Sequence, residues 1–373
     1  MKETIISIRN KIIHFLYKQI ARRIFFLIDP ERIHHIMLSV GVFLGSNPIT
    51  RGISAFFFNY SNKNLEQTIL ETKFSNPVGL AAGFDKSAQM IKIMKSTGFG
   101  FTEVGSITGE PCAGNPKPRV WRLIKSQGLL INYGLNNQGS KEISKRLHGQ
   151  KFQIPVMTSI AKTNCKETST TEGGIADYRK AYEAFKNIGD FSVINISCPN
   201  AHGGEPFTDP VKLDKLLAEL SQVSTQKPTF IKIAPDLEPK VVYEIIEVST
   251  KYKVSGFICT NLTKDRHNPK IIEKNLPGPG SISGKPIEEL SEKMISYIYK
   301  KTKGKSVIIG VGGIFTAGDA YRKIKLGASL VQLITGMIYE GPQLISEINQ
   351  GLTKLLKKDG FKNISEAVGV DNK

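Results

Sequence analysis

From Asn76 onward the chain alternates short β-branched runs with longer runs of helical period, and it does so eight times. The candidate strands occupy 77–83 ("PVGLAAG"), 99–106 ("FGFTEVGS"), 154–161 ("IPVMTSIA"), 191–197 ("FSVINIS"), 229–235 ("TFIKIAP"), 256–261 ("GFICTN"), 306–313 ("SVIIGVGG") and 329–336 ("SLVQLITG"). Between them, helical patterns cover 86–97, 175–188, 210–220, 239–252, 286–300 and 316–326. Several open on a capping residue, such as Asp209 before Pro210 or Thr316 before Ala-Gly-Asp. Eight strand–helix units within about 280 residues are what a (β/α)8 TIM barrel requires. A doubly wound open sheet is the competing α/β architecture. The count of eight, and the lack of a G-x-G-x-x-G opening the first unit, disfavour it.

Polar residues and glycines gather at the C-terminal ends of these runs, the catalytic face of such barrels. Asp85 and Lys86 follow the first run, Ser106 ends the second and Lys162 follows the third. Asn195 to Asn200 close the fourth, Lys232 lies in the fifth, and Thr260 with Asn261 end the sixth. Gly312 and Gly313 follow the seventh, Thr335 and Gly336 the eighth, and Gly284 in "SISGKP" offers a third glycine edge. Glycine turns on the last two strands indicate a phosphate site, because backbone N–H groups there can approach an anion. Alternation in "FIKIAP" sets Lys232 opposite Ile231 and Ile233, and an inward lysine needs an anionic or electron-rich partner. Together these features indicate a phosphorylated cofactor beside a flat, amide-rich, anionic substrate. In "FSVINISCPN" a thiol, Cys198, stands just past a strand between two carboxamides, which is not where a structural cysteine belongs.

The first sixty residues differ from the rest. Residues 5–28 are apolar at helical spacing with Arg9, Lys11, Lys18, Arg22 and Arg23 interleaved, and these charges break any transmembrane span. A second apolar run, 36–44, is too short to span, and no small-residue cleavage site follows the first. The expectation is a pair of amphipathic helices lying on an anionic membrane surface, packed on the main domain, or both. The formal charge of +18 fits that surface. The remaining lysines are scattered and no reader motif accompanies them, so no nucleic acid partner is expected. Four distant cysteines without a C-x-x-C pair argue for a reducing compartment and no metal site.

The motifs "NPVGLAAGFDK", "GNPKPRVWRL", "INISCPN", "IKIAPDL", "CTNLTKDR", "ISGKP" and "IIGVGGI", in this order, resemble the dihydroorotate dehydrogenase family. The extension with "IDPERIHH" is similar to the membrane-associated, quinone-dependent class 2 enzymes. The resemblance implies an extension at residues 1–62 that meets the membrane and forms a quinone tunnel, and an FMN-binding catalytic barrel at 63–373. It implies oxidation of dihydroorotate to orotate in pyrimidine synthesis, with electrons passed to a membrane quinone. The enzyme would lie peripherally on the cytoplasmic side of the inner membrane. On this mapping Ala82, Gly83, Ser106, Ser159, Asn195, Lys232, Thr260, Gly284, Gly312, Gly313, Thr335 and Gly336 would contact FMN. Lys86, Asn132, Asn195, Asn200 and Asn261 would hold the substrate. Cys198 would be the base that removes the C5 proton, and 201–206 the lid over it.

Three positions depart from the family pattern. Cysteine at 198 is the habit of soluble class 1 enzymes, whereas class 2 enzymes carry serine. In "LLINYGLNN" the family's substrate-binding asparagine aligns with Ile131 and the following arginine with Asn132, so that either Asn132 takes over through a shifted loop or one pyrimidine hydrogen bond is missing. Ser159 stands where an asparagine is expected near the flavin. These departures leave two alternatives: an FMN barrel acting on another cyclic amide or using a soluble acceptor, or a non-catalytic phosphate-binding barrel at the membrane.

Overall fold

The computed structural model describes residues 2–372. Three helical segments come first: α1 (Lys2–Leu16), which continues through one π-helical turn at Tyr17–Ala21 into α2 (Arg22–Leu27), then α3 (Pro30–Gly45) and α4 (Pro48–Phe58). The first two fall on the expected apolar runs. The third, α4, was not anticipated, although Asn47 caps it by accepting the Thr50 N–H and Pro48 opens it. A hairpin of β1 (Gln67–Ile69) and β2 (Thr72–Phe74) leads into β3 (Val78–Leu80), a short α5 (Ile91–Met94) and β4 (Phe101–Ile107). An antiparallel excursion, β5 (Val120–Leu123) and β6 (Gly128–Ile131), precedes α6 (Gly139–Leu147). Then come β7 (Val156–Ile160), α7 (Thr171–Phe185), β8 (Phe191–Asn195), α8 (Pro210–Leu220), β9 (Thr229–Ile233), α9 (Pro239–Lys251) and β10 (Gly256–Cys259). After β11 (Ser281–Gly284), which joins β6, the chain finishes with α10 (Glu288–Thr302), β12 (Val307–Val311), α11 (Ala317–Lys325), β13 (Leu330–Leu333), α12 (Thr335–Glu340) and α13 (Leu344–Asp359).

All eight expected runs supply the strands of one closed parallel barrel, in the order β10-β12-β13-β3-β4-β7-β8-β9. Its lower interior is a layer of apolar side chains that includes Phe101, Met157, Phe191, Phe230 and Ile309. The β1–β2 hairpin inserts Phe74 from below, stacked on Phe191 at 5.9 Å and edge-on to Phe101 at 5.5 Å. Such pairs add roughly 0.5–1.5 kcal/mol each beyond area burial. Gly79 has to be small because a Cβ there would stand 2.4 Å from the Phe101 ring. The barrel is therefore plugged at its N-terminal end and open only at the C-terminal end.

The helix expected at 86–97 contracts to Ile91–Met94 and one 3-10 turn. The Asp85 carboxylate explains this: it accepts the N–H groups of Gln89 and Met90 at 2.8 and 2.9 Å, holding 85–90 as a capped loop. Two other helices begin off their expected starts: α7 starts earlier, at Thr171 behind a Thr170 cap, and α10 starts at Glu288 after a 3-10 turn. The three-stranded sheet β11-β6-β5 was not expected either, and it roofs the open end of the barrel.

The extension is docked on the barrel by polar contacts. Arg9 reaches Ser346 Oγ at 2.7 Å, Tyr17 OH donates to the Ile338 carbonyl at 2.7 Å, and Lys18 pairs with Glu340 at 2.7 Å. Arg122 donates to the terminal carbonyls of α2 at Phe25, Phe26 and Ile28. The pair Glu31–Arg119, at 2.7 Å, is almost fully buried. The outer face nevertheless stays apolar: Ile5, Ile8, Ile12 and Phe15 form one exposed stripe on α1, and Phe43 and Phe56 are exposed on α3 and α4. Among the described residues, no helix is long and apolar enough to cross a membrane.

Candidate active site

A cavity of about 620 Å³ runs from the open end of the barrel to a gap between the π turn, α2 and α3. At the barrel end its wall contains Ala82, Gly83, Ser106, Lys232, Thr260, Gly284, Gly312, Gly313, Thr335 and Gly336. Lys86, Asn195, Cys198, Asn200 and Asn261 line the neighbouring stretch. Towards the helices the lining becomes apolar, with Ala21, Phe25, Met37, Val40 and Leu44.

Two sequence candidates lie off the wall. Ser159 sits one layer behind, its hydroxyl 2.9 Å from that of Ser106. The Asn132 side chain turns away to accept from Asn115 at 3.0 Å, because β6 ends at Ile131 and the next inward residue is Tyr133. Ile131 and Tyr133 themselves line the cavity. The loop shift invoked for Asn132 is absent, and the cavity meets an apolar side chain there.

Asn195 and Asn261 are linked through Ser197, and Asn200 is held separately. Asn195 donates to Ser106 Oγ at 2.8 Å and accepts from Ser197 Oγ at 3.0 Å. Asn261 donates to the Ser197 carbonyl at 2.6 Å, and Asn200 to the Ile131 carbonyl at 2.8 Å. Cys198 stands among them on the loop after β8. Dense packing around its thiol pushes the pKa up to about 11, and a negative charge at Glu205 adds to this. The Asn200 N–H and the Lys162 ammonium pull the other way. The segment 201–206 folds across this region. Lys162 donates to the His202 carbonyl, Lys264 pairs with Glu205, and consecutive left-handed residues Gly203 and Gly204 make the turn.

Lys86 lies with its Nζ 3.7 Å above the Tyr133 ring, and burial lowers its pKa to about 7. Burial also holds His34 neutral, down at about 3, with Lys86 contributing; its Nε2 is 2.8 Å from the Phe84 carbonyl. His34, Tyr133 and Arg122 are cavity residues that the sequence reading did not single out. Glu103, fully buried behind Lys232 at 3.1 Å, was also missed. Its signal was present, since alternation in "FGFTEVGS" puts it on the same face as Phe101 and Gly105.

The model of the family described as dihydroorotate dehydrogenase matches residues 64–356. The chain belongs to the dihydroorotate dehydrogenase family. A relative from Trichodesmium erythraeum, named dihydroorotate dehydrogenase (quinone), is 39% identical over 364 residues, covering 92% of this chain and 95% of that one. One of the same name from Haloarcula marismortui is 41% identical over 302 residues, covering 80% and 83%. The crystal structure of DHODH from Eimeria tenella in complex with ferulenol has a TM-score of 0.83 at 30% identity, covering 92% of this chain and 96% of that one. In this chain the barrel end of the cavity and the apolar helical end form one continuous space.

Proposed function

We propose that this chain is an FMN-dependent dihydroorotate dehydrogenase that passes its electrons to a membrane quinone. The observation that carries the proposal is the single cavity joining Cys198 and its asparagines to an apolar funnel between the N-terminal helices. The wall suits FMN on its own chemistry. It combines left-handed glycines at 284, 312 and 313, a Ser283–Thr335 hydroxyl pair at 2.9 Å, one lysine and flat apolar sides. Backbone N–H groups at Gly284, Gly312, Gly313 and Gly336, with Thr335, would hold the phosphate. Ala82, Gly83, Ser106, Asn195, Lys232 and Thr260 would hold the ring, with Ser159 supporting Ser106 from behind. When bound, FMN supplies the hydride acceptor for C6 of dihydroorotate and the route for electrons to quinone.

The rest of the chemistry belongs to the protein. Lys86 regains its proton against the substrate carboxylate, and Asn195, Asn200 and Asn261 exchange their present partners for the ring amides, to which carboxamides can both donate and accept. Cys198 removes the C5 proton as thiolate, with the neighbouring Lys162 ammonium favouring that form. The lid at 201–206 excludes water while this happens. Residues 1–62 act as a membrane-facing extension on the barrel at 63–373, and the apolar stripe on α1 is the contact with an anionic bilayer at the cytoplasmic side of the inner membrane.

The test is the anaerobic visible spectrum of protein purified in mild detergent. A yellow protein that bleaches with dihydroorotate and recovers with quinone supports the proposal. A yellow protein indifferent to dihydroorotate refutes the substrate assignment. Ile131 in the wall, with Asn132 turned away, favours a second reading in which a related cyclic amide with fewer hydrogen-bonding groups is the substrate. A panel of such amides in the same assay separates the two.

A further inference from the structure

Glu103 occupies the middle of β4, with no exposed surface, one step above the apolar layer of Phe101 and Phe230. Its Oε2 lies 3.1 Å and its Oε1 3.4 Å from Lys232 Nζ, and Oε2 also accepts the Ala82 N–H at 3.3 Å. Lys232 faces the cavity, whereas Glu103 does not line it. A buried ion pair is a poor stability device, because two well-packed apolar side chains would serve at least as well. The layer directly below is built in that apolar way. Nor does anion binding explain the carboxylate, since Lys232 alone would attract an anion more strongly than Lys232 cancelled by Glu103.

A cation in the wall favours whichever state of a bound group carries more negative charge, and a flavin gains electron density on two-electron reduction. We infer that Glu103 is a positioning residue that neutralises Lys232 and thereby keeps the reduction potential of the bound flavin low enough for onward transfer to quinone. The inference rests on the FMN reading above. Through Ala82 the same carboxylate fixes the end of β3, so the charge balance and the shape of the wall depend on one side chain.

The test uses full-length protein carrying flavin, and the variants Glu103→Gln, Lys232→Gln and the double variant. Each is titrated anaerobically against reference dyes over a pH series. Glu103→Gln raises the ratio of reduced to oxidised flavin at a fixed potential about tenfold, equivalent to ~30 mV for a two-electron couple. Lys232→Gln lowers it by a similar factor, and the double variant returns close to the parent. Where proton gain or loss discharges the uncompensated group, the shift appears as a new break in the plot of potential against pH. A purely structural Glu103 would loosen FMN in both single variants without opposite shifts. An unchanged potential across the series in flavin-bearing Glu103→Gln overturns the inference. Should that variant lose flavin, the double variant must still lie above Lys232→Gln, and equality of the two overturns it. A parent protein that binds no FMN overturns the flavin reading itself, and this inference with it.

Discussion

In the proposed reaction, Cys198 would have to accept a proton from a position that favours its protonated form. With the thiol pushed up to about 11, its ionised fraction grows about tenfold per pH unit through the neutral and alkaline range. Stopped-flow bleaching of the flavin by dihydroorotate should therefore accelerate with pH, in proportion to the thiolate. Cys198→Ala should slow that step by about 10²–10⁴-fold, the usual worth of a positioned base, while leaving flavin absorbance intact. Cys198→Ser should fall between the two, with its pH dependence displaced to higher pH. Lys86 makes the opposite demand. Burial lowers it to about 7, so an arriving carboxylate restores its charge and the complex takes up a proton. Orotate affinity should fall as pH rises above about 7, by up to about tenfold per unit, and calorimetry in buffers of different ionisation enthalpy should show the proton uptake. Lys86→Met should abolish that uptake.

Among the elements, the joint between α3 and the barrel rests on Glu31 and Arg119. Burial raises the Glu31 carboxyl, but Arg119, Lys117 and His35 outweigh it, and its pKa ends below the ordinary value. The stabilisation is therefore complete above the unfolded-state pKa and disappears as pH falls through the lower folded one. Glu31→Gln leaves Arg119 buried and unpaired, a loss of roughly 3–5 kcal/mol. Because the joint borders the funnel, quinone reduction should suffer more than flavin bleaching in that variant, and the ratio of the two rates measures this. The barrel strands were legible because each is a β-branched run bounded by turn residues. The sheet β11-β6-β5 was not, since its strands have four residues each and Ile131 pairs with Ser281, far along the chain. The loop 85–90 was misread as helix because periodicity cannot show that the Asp85 side chain takes the N–H groups a helix start would leave free. At the site, strand-end polarity pointed to Lys86, Ser106, Asn195, Lys232 and Asn261, which line the cavity, but not to His34, Arg122 or Tyr133, which lie on other elements. Asn132, which the family resemblance suggested, faces away because one step of register decides which side chain lines the cavity, and Glu103 stands behind Lys232 on the inward face of β4.

At the scale of the whole molecule, the proposed bilayer contact combines the exposed stripe on α1 with the exposed basic residues Lys11 and Arg23. Sedimentation with anionic vesicles should show binding that weakens with salt, since each basic residue near such a surface contributes about 1 kcal/mol. Phe43→Asp together with Phe56→Asp should reduce binding to neutral vesicles at least tenfold, because a buried Phe is worth roughly 1.5–3 kcal/mol. Neither change should alter dihydroorotate-dependent bleaching.

The contact from Arg9 to Ser346 also bears on biosynthesis, because its partners are 337 residues apart. At roughly 5–20 residues per second, the ribosome delivers Ser346 about 20–70 s after Arg9. During that interval the apolar helices have no barrel to lie against. The faces that dock on the barrel therefore stay uncovered until the chain is almost finished, and the first segment made is among the last to reach its place.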